Sequence, residues 1–435
     1  MVTKKDAEFL SFSRSMLIQC VMLFVGICAG LWIHKYCFFL VAGFTIAVSF
    51  FGKMDSAYYH LFFCLPFTVI YKLSPASTSL FTYVMLAVSI VIILRQRIFS
   101  KKHVFFIMLF SVYLLVGMGR NFTLAIKLIV GLILFYIFVN RIETENFKNH
   151  IMSFALGMVG SSFLGLMKSS WSRLTVYYSN LKTIYIGNEE SFRFTGLYRD
   201  PNYYSISVIL VVVLCVMLFI NRDGNQVVLA VIALGLTVFG FTTYSKMFML
   251  FVGLFAIIFV LLQMKSPKKM ALLMLPIAAV AVGLYKWMQY SGYLDVMKNR
   301  LSGEDISTGR FDIWKNYLTY ILSSPSTLFL GDGIKAPDYN GVAPHNTYIE
   351  LIYYLGILGT IIFLVTLISV FKSRKIIFKR NILNYALIIA FLGMSATLAC
   401  FTINDLMFYC MLMWMGYNYS INKNNSRFLS RRRVL

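Results

Sequence analysis

Fourteen apolar stretches, most of them about 17 to 25 residues long, follow one another along this chain, and the longest interval between any two is the 58 residues from Gln289 to Asn346. Each is long enough to cross a hydrocarbon core of roughly 30 Å as an α-helix. They fall near 15–33, 36–52, 57–71, 78–95, 103–118, 121–139, 150–168, 203–220, 225–243, 246–263, 270–288, 347–371, 382–401 and 404–421. Phe, Leu, Ile, Met and Val run through them without the two-residue alternation of a membrane β-barrel. The expected fold is therefore all-α: a polytopic membrane protein with about 12–14 transmembrane helices in a single integral membrane domain, residues 1–435. Two long segments, 169–202 and 289–346, interrupt it, and the larger is expected to carry interfacial helices. Composition excludes a soluble domain, because 13% charged residues is about half the usual share. The first stretch lacks a small-residue cleavage site and is expected to be a retained anchor rather than a signal peptide.

Lys and Arg near span ends bias loops towards the cytoplasm. With both termini inside, 24 of the 40 basic residues fall in inner segments, 15 in outer segments, and Lys127 lies within a span. Most of the +23 formal charge is then topology signal and attraction to anionic headgroups, and nucleic acid is not an expected partner. The two long segments face outward in this arrangement yet hold Arg173, Lys182, Arg193, Arg199, Lys298, Arg300, Arg310, Lys315 and Lys335. Outer loops this basic suggest an anionic substrate.

None of the 17 acidic residues lies mid-span, which argues against a proton-coupled transporter. No Gly-x-x-x-x-Gly-Lys-Ser/Thr loop is present for an ATP-driven one. The seven cysteines lie in or beside spans without a metal-binding spacing, so packing is their expected role.

In the first outer segment, Leu174, Tyr177, Tyr178, Leu181, Ile184 and Tyr185 recur at helical spacing and predict an amphipathic interfacial helix that breaks at Gly187-Asn-Glu-Glu190. Arg193-Phe-Thr-Gly196 and Arg199-Asp200-Pro201-Asn202 then lead into a span. Asp200 suits a helix cap with Pro201 at the first helical position, while the arginines could instead clamp a phosphate through their planar forks. In the second segment, Phe311, Trp314, Tyr317, Leu318, Ile321 and Leu322 predict an interfacial helix running from Arg310 towards Pro325. Gly331-Asp-Gly333 suits a tight turn. Pro344-His345-Asn346 stands at the mouth of the next span, where His345 could cap the helix or act as a base.

Taken in order, Arg193-x-x-Gly196, Asp200-Pro-Asn202, Ser307-Thr-Gly-Arg310 with Trp314, Gly331-Asp-Gly333, His345-Asn346-x-Tyr348 and Gly356-Ile-Leu-Gly359 resemble the O-antigen polymerase and ligase superfamily over roughly residues 190–365. The resemblance implies a membrane glycosyltransferase at the outer face of the bacterial cytoplasmic membrane, acting on undecaprenyl-diphosphate-linked oligosaccharides without a metal ion or other cofactor. It implies that Arg193 and Arg310 hold and neutralise the diphosphate and that His345 acts as base or orients the acceptor. Arg199, Asp200, Asn202, Lys246, Asn346 and Tyr348 become expected substrate contacts. Lys246, after Ser245, stands where many relatives carry Arg, and so keeps the charge without the planar fork.

The expected activity is polymerisation of lipid-linked repeat units into capsular polysaccharide or O-antigen. A chain-length regulator and a flippase are candidate partners, beside membrane lipid. A ligase transferring a finished glycan to another acceptor, and a flippase or exporter of lipid-linked glycan, are the competing readings.

Overall fold

The computed structural model describes residues 12–74, 77–95, 101–117, 122–167, 183–186, 189–198, 200–263, 309–333, 339–374, 382–401 and 406–418, with isolated positions between 282 and 298. The apolar stretches fold as α1 (Arg14–Trp32), α2 (Cys37–Phe51), α3 (Met54–Cys64), α4 (Leu80–Arg95), α5 (Lys101–Gly117), α6 (Phe122–Arg141) and α7 (Phe147–Leu166). A short hairpin, β1 (Thr183–Ile186) and β2 (Glu189–Phe192), comes next. It is followed by α8 (Pro201–Ile220), α9 (Gln226–Phe241) and α10 (Lys246–Gln263). Beyond the second long segment, with its α11 (Arg310–Leu322) and α12 (Pro325–Leu330), come α13 (Thr347–Phe371), α14 (Ile382–Ser395) and α15 (406–418). The chain is an all-α polytopic membrane protein. Among the described residues, Arg14–Trp32, Thr123–Arg141, Pro201–Ile220 and Thr347–Phe371 are long and apolar enough to cross a membrane by themselves. Most of the predicted span 270–288 lies outside the described residues.

Burial separates an inner group of helices from an outer rim. α3, α7, α8 and α15 bury most of their side chains, and Phe62, His150, Phe408 and Trp414 meet one another and Phe138 of α6 edge to face. The rim helices expose large apolar residues, among them Ile18 and Val21 on α1, Leu40 on α2, Val231 on α9 and Ile257 on α10. In water these would be liabilities, but hydrocarbon solvates them at no cost.

Three predicted elements take a different form. The span 57–71 is helical only to Cys64, continues as a 3₁₀ turn over Leu65–Phe67 and finishes irregularly, yet Ile70 and Tyr71 are buried. Irregular backbone is tolerated at such depth where protein rather than lipid surrounds it. The span 382–401 stops as a helix at Ser395, and residues 396–401 run on as a buried irregular segment. The interfacial helix predicted across Leu174 to Tyr185 is contradicted at its end, where Ile184 and Tyr185 belong to β1. There β1 pairs antiparallel with β2, Thr183 opposite Phe192 and Ile186 opposite Glu189. Helical spacing of apolar residues also fits a strand when Ile and Tyr dominate it. Residues 174–182 lie outside the described residues.

The Gly331-Asp-Gly333 motif has a role the sequence does not reveal. Helix α13 breaks at Gly356, whose φ of 62° is left-handed, and the break strands carbonyls that would otherwise close helical bonds. Asp332 N–H donates to Tyr353 O at 2.8 Å and Gly333 N–H to Tyr354 O at 3.1 Å. The Tyr113 hydroxyl, from α5, donates to Leu355 O at 2.5 Å and Leu330 O at 2.9 Å. The second outer segment is thus stitched onto a broken membrane helix through two glycines, Gly331 and Gly356, packed backbone to backbone.

Candidate active site

The polar residues before α8 form the first half of the site. Asp200 caps the helix, its carboxylate accepting Asn202 N–H at 2.7 Å, with Pro201 at the first helical position. Asn202 turns its Oδ1 to Arg193 Nη2 at 3.1 Å, and Arg193 Nε donates to Thr243 O at 2.6 Å. Thr243 lies in the turn between α9 and α10, which also holds Phe194 N–H through Thr242 O. Two residues on, Ser245 is buried at the start of α10 and Lys246 is the first helical residue. Arg193, Asp200, Asn202 and Lys246, spread over 54 residues of chain, therefore converge at one end of the bundle. The glycine of Arg193-x-x-Gly196 is structural: its φ is 52°, and a Cβ there would enter the Tyr204 ring.

Helix α11 supplies the second half. Gly309, in a left-handed conformation with φ 77°, turns the chain into it, so the Gly-Arg310 pair is a backbone requirement followed by a functional side chain. Tyr317 and Ile321 are buried on its inner face. Trp314 Nε1 donates to Pro344 O at 3.0 Å and the Tyr317 hydroxyl to Val342 O at 2.7 Å, latching the 339–344 loop beneath the helix. His345 follows at once with φ 46°, a strained conformation for a residue bearing a Cβ. The cap of α13 is Asn346, whose Oδ1 accepts Tyr348 N–H at 2.9 Å and Ile349 N–H at 3.2 Å. The capping role that the sequence leaves open for His345 is thus filled by its neighbour.

The halves are coupled electrostatically and joined through one shared segment. Arg310 is half-buried, and the loss of solvent pulls its pKa down while the negative charge of Asp200 acts in the opposite sense. It stays a cation, since a guanidinium is not deprotonated in a protein. Below, the irregular segment 396–401 takes the Tyr203 hydroxyl from α8 at Ala399 O, 2.8 Å, and the Thr347 hydroxyl from α13 at Leu398 O, 2.6 Å. Tyr348 reaches elsewhere, its hydroxyl donating to Leu392 O on α14 at 2.8 Å. Arg199 lies outside the described residues. Among the described residues no group of three His, Cys, Asp or Glu is arranged to hold a metal ion.

In the sequence Tyr317 reads as the apolar face of a helix, Tyr203 as the start of a span and Trp314 only as a companion of the Arg310 motif, so none of the three is expected as a site residue. The available signal was position: Trp314 lies one helical turn after Arg310. Trp314→Phe keeps the ring and removes the bond to Pro344, a loss of about 0.5–1.5 kcal/mol. It is expected to lower kcat by up to about tenfold, with Tm lower by no more than a few degrees.

An all-α membrane bundle with a cationic, polar site at one end and a short helix latched to the loop before α13 is the class that fold and site define. Within it, residues 228–364 match the family model described as O-Antigen ligase, from α9 through α11 to α13. That stretch is therefore similar to the O-antigen ligase family, consistent with the O-antigen polymerase and ligase superfamily. The match includes Lys246, Arg310, His345, Asn346 and Tyr348, and ends short of Arg193 and Asp200 on the N-terminal side. No curated protein and no solved structure matches the chain.

Proposed function

We propose that this protein is a metal-independent glycosyltransferase that polymerises undecaprenyl-diphosphate-linked oligosaccharide repeat units at the outer face of the cytoplasmic membrane. The observation that carries this reading is the placement of Arg310 within the electrostatic field of Asp200, with Trp314 bonded to the carbonyl that directly precedes His345. The O-antigen ligase family acts on lipid-linked glycans, which supports the substrate class.

In the proposed reaction a hydroxyl oxygen of one repeat attacks the anomeric carbon of the glycan on a second lipid. The new C–O bond forms as the bond from that carbon to the diphosphate oxygen breaks, and the bonding pair leaves on the diphosphate. His345 takes the hydroxyl proton, and Arg310 stabilises the charge that grows on the leaving oxygen. Arg193, tied to Thr243 and Asn202, adds a positive field from the other side. The glycosyl diphosphate already stores the driving energy, so no nucleotide is required.

The family description favours a second reading, ligation of a finished glycan to another acceptor. Purified protein given only lipid-linked single repeats separates the two. A ladder of products longer than one repeat is expected. A protein that forms no ladder but moves preformed polymer onto a different acceptor is a ligase, and one that forms no glycosidic bond with either overturns the reading. In cells, loss of the gene should leave single repeats on the surface acceptor rather than polymer on the lipid carrier.

A further inference from the structure

Glu350 lies in the first turn of α13, one turn beyond the Asn346 cap, with only 1% of its surface exposed. The other buried acidic residue among those described, Asp223, is 8% exposed. A carboxylate buried at the mouth of a membrane helix is costly, and such residues persist where they do something. The positive end of the helix dipole offsets part of that cost.

Its Oε2 accepts Phe401 N–H at 2.9 Å. The adjacent Cys400 N–H donates to Thr347 Oγ1 at 2.9 Å, and Ala399 O receives the Tyr203 hydroxyl. Three consecutive residues of an irregular segment are thereby gripped from two helices: Ala399 from α8, Cys400 and Phe401 from α13. Tyr203 directly follows Asn202, and Thr347 directly follows Asn346. The segment 399–401 is a strut between the two halves of the site, and Glu350 holds its C-terminal end.

We infer that Glu350 is a positioning residue for glycosyl transfer, its carboxylate fixing the 399–401 strut and with it the separation of Asp200 and Asn202 from His345 and Asn346. This rests on the function proposed above. A displacement of about 1 Å between reacting groups can cost about 10²-fold in rate, so a strut of this kind acts on kcat. A carboxylate serves better than an amide because a bond to an ionised acceptor is roughly twice as strong.

Glu350→Gln keeps an acceptor for Phe401 N–H and should lower kcat by about tenfold, whereas Glu350→Ala should lower it by about 10²-fold. KM for lipid-linked oligosaccharide should stay within about twofold in both, since the groups that bind substrate are retained. Tyr203→Phe breaks the other end, so combining it with Glu350→Ala should add little further loss. Amide hydrogen exchange gives a readout independent of turnover: residues 396–401 should exchange faster in Glu350→Ala and remain protected in Glu350→Gln. Full kcat in folded Glu350→Ala, multiplying losses in the double variant, or unchanged protection of 396–401 would each overturn the inference. A wild-type protein that transfers no sugar sinks the proposed function instead, while the exchange measurement still judges the strut.

Discussion

Arg310→Ala is expected to lower the turnover of lipid-linked oligosaccharide by about 10²–10³-fold, the usual consequence of removing one donor aimed at a developing anion. The size of the effect follows from the position of the residue. Arg310 opens α11, half-buried and within the field of the Asp200 carboxylate, where water screens its charge less than on an open surface. Arg310→Lys should fall between wild type and alanine, because the ammonium keeps the charge but cannot offer two parallel N–H bonds. Since Arg310 stands at the first turn of α11, whose anchors are Trp314 and Tyr317, its loss should leave Tm nearly unchanged. Arg193→Ala should differ in that respect. Its bonds to Thr243 and Asn202 tie the pre-α8 segment to the turn before α10, so both kcat and Tm should fall. Steady-state turnover in detergent, with unfolding followed on the same preparations, checks all three. An Arg310→Ala protein with full turnover would remove this residue from the site.

The second large effect concerns folding. Gly356→Ala is expected to cost roughly 2–5 kcal/mol, combining a side chain forced into the left-handed region with overpacking against a neighbour that cannot yield. The neighbour is backbone: a Cβ on Gly356 would meet the Phe329 carbonyl and the Gly331 nitrogen. Gly331→Ala should behave similarly, because its φ is 75° and its Cβ would meet Tyr354 and the Gly356 nitrogen. Either change pushes α12 away from α13 and leaves the Tyr353 and Tyr354 carbonyls without the Asp332 and Gly333 amides. Gly235→Ala on α9 is the control. Nothing lies within 4 Å of its added Cβ, and helix propensity predicts a neutral or slightly stabilising change. Thermal unfolding of the three purified variants measures the contrast, and equal Tm values would refute the stitching of the broken helix.

Much of the fold was legible from apolar runs because a bilayer leaves a chain few options. Each run had to become a helix, and all but the one over 270–288, mostly outside the described residues, has a helix in the structure. Failures occurred where protein rather than lipid surrounds the backbone. Residues 65–71 and 396–401 are apolar enough to read as span, yet buried neighbours supply the hydrogen bonds that lipid cannot, so they need not be helical. At 183–186, Ile184 and Tyr185 matched a helical stripe, but β-branched and aromatic residues fit a pleated strand equally well.

The candidate site was legible by residue type and less so by role. Arginines flanking glycines at polar span mouths marked where to look. The electrostatic coupling of Asp200 and Arg310 was invisible, because the two are more than a hundred residues apart and no local pattern joins them. The glycines that accompany both arginine motifs also turned out to answer to packing and backbone handedness, at Gly196 and Gly309, rather than to a ligand.

What the sequence by itself determined was the class: an all-α membrane bundle, its long polar interruptions, and the short set of cations, carboxylates and a histidine gathered there. Hydrophobic length and charge placement are properties of consecutive residues, and those suffice for that much. Only the tertiary structure decided which residue caps which helix, assigning that task to Asn346 and separating His345 from it. It also decided that Gly331-Asp-Gly333 mends a broken helix, and that a strut at 399–401 ties Tyr203 to Glu350. These are contacts between segments far apart in the chain, made by single hydrogen bonds with exacting geometry, and no periodicity records them.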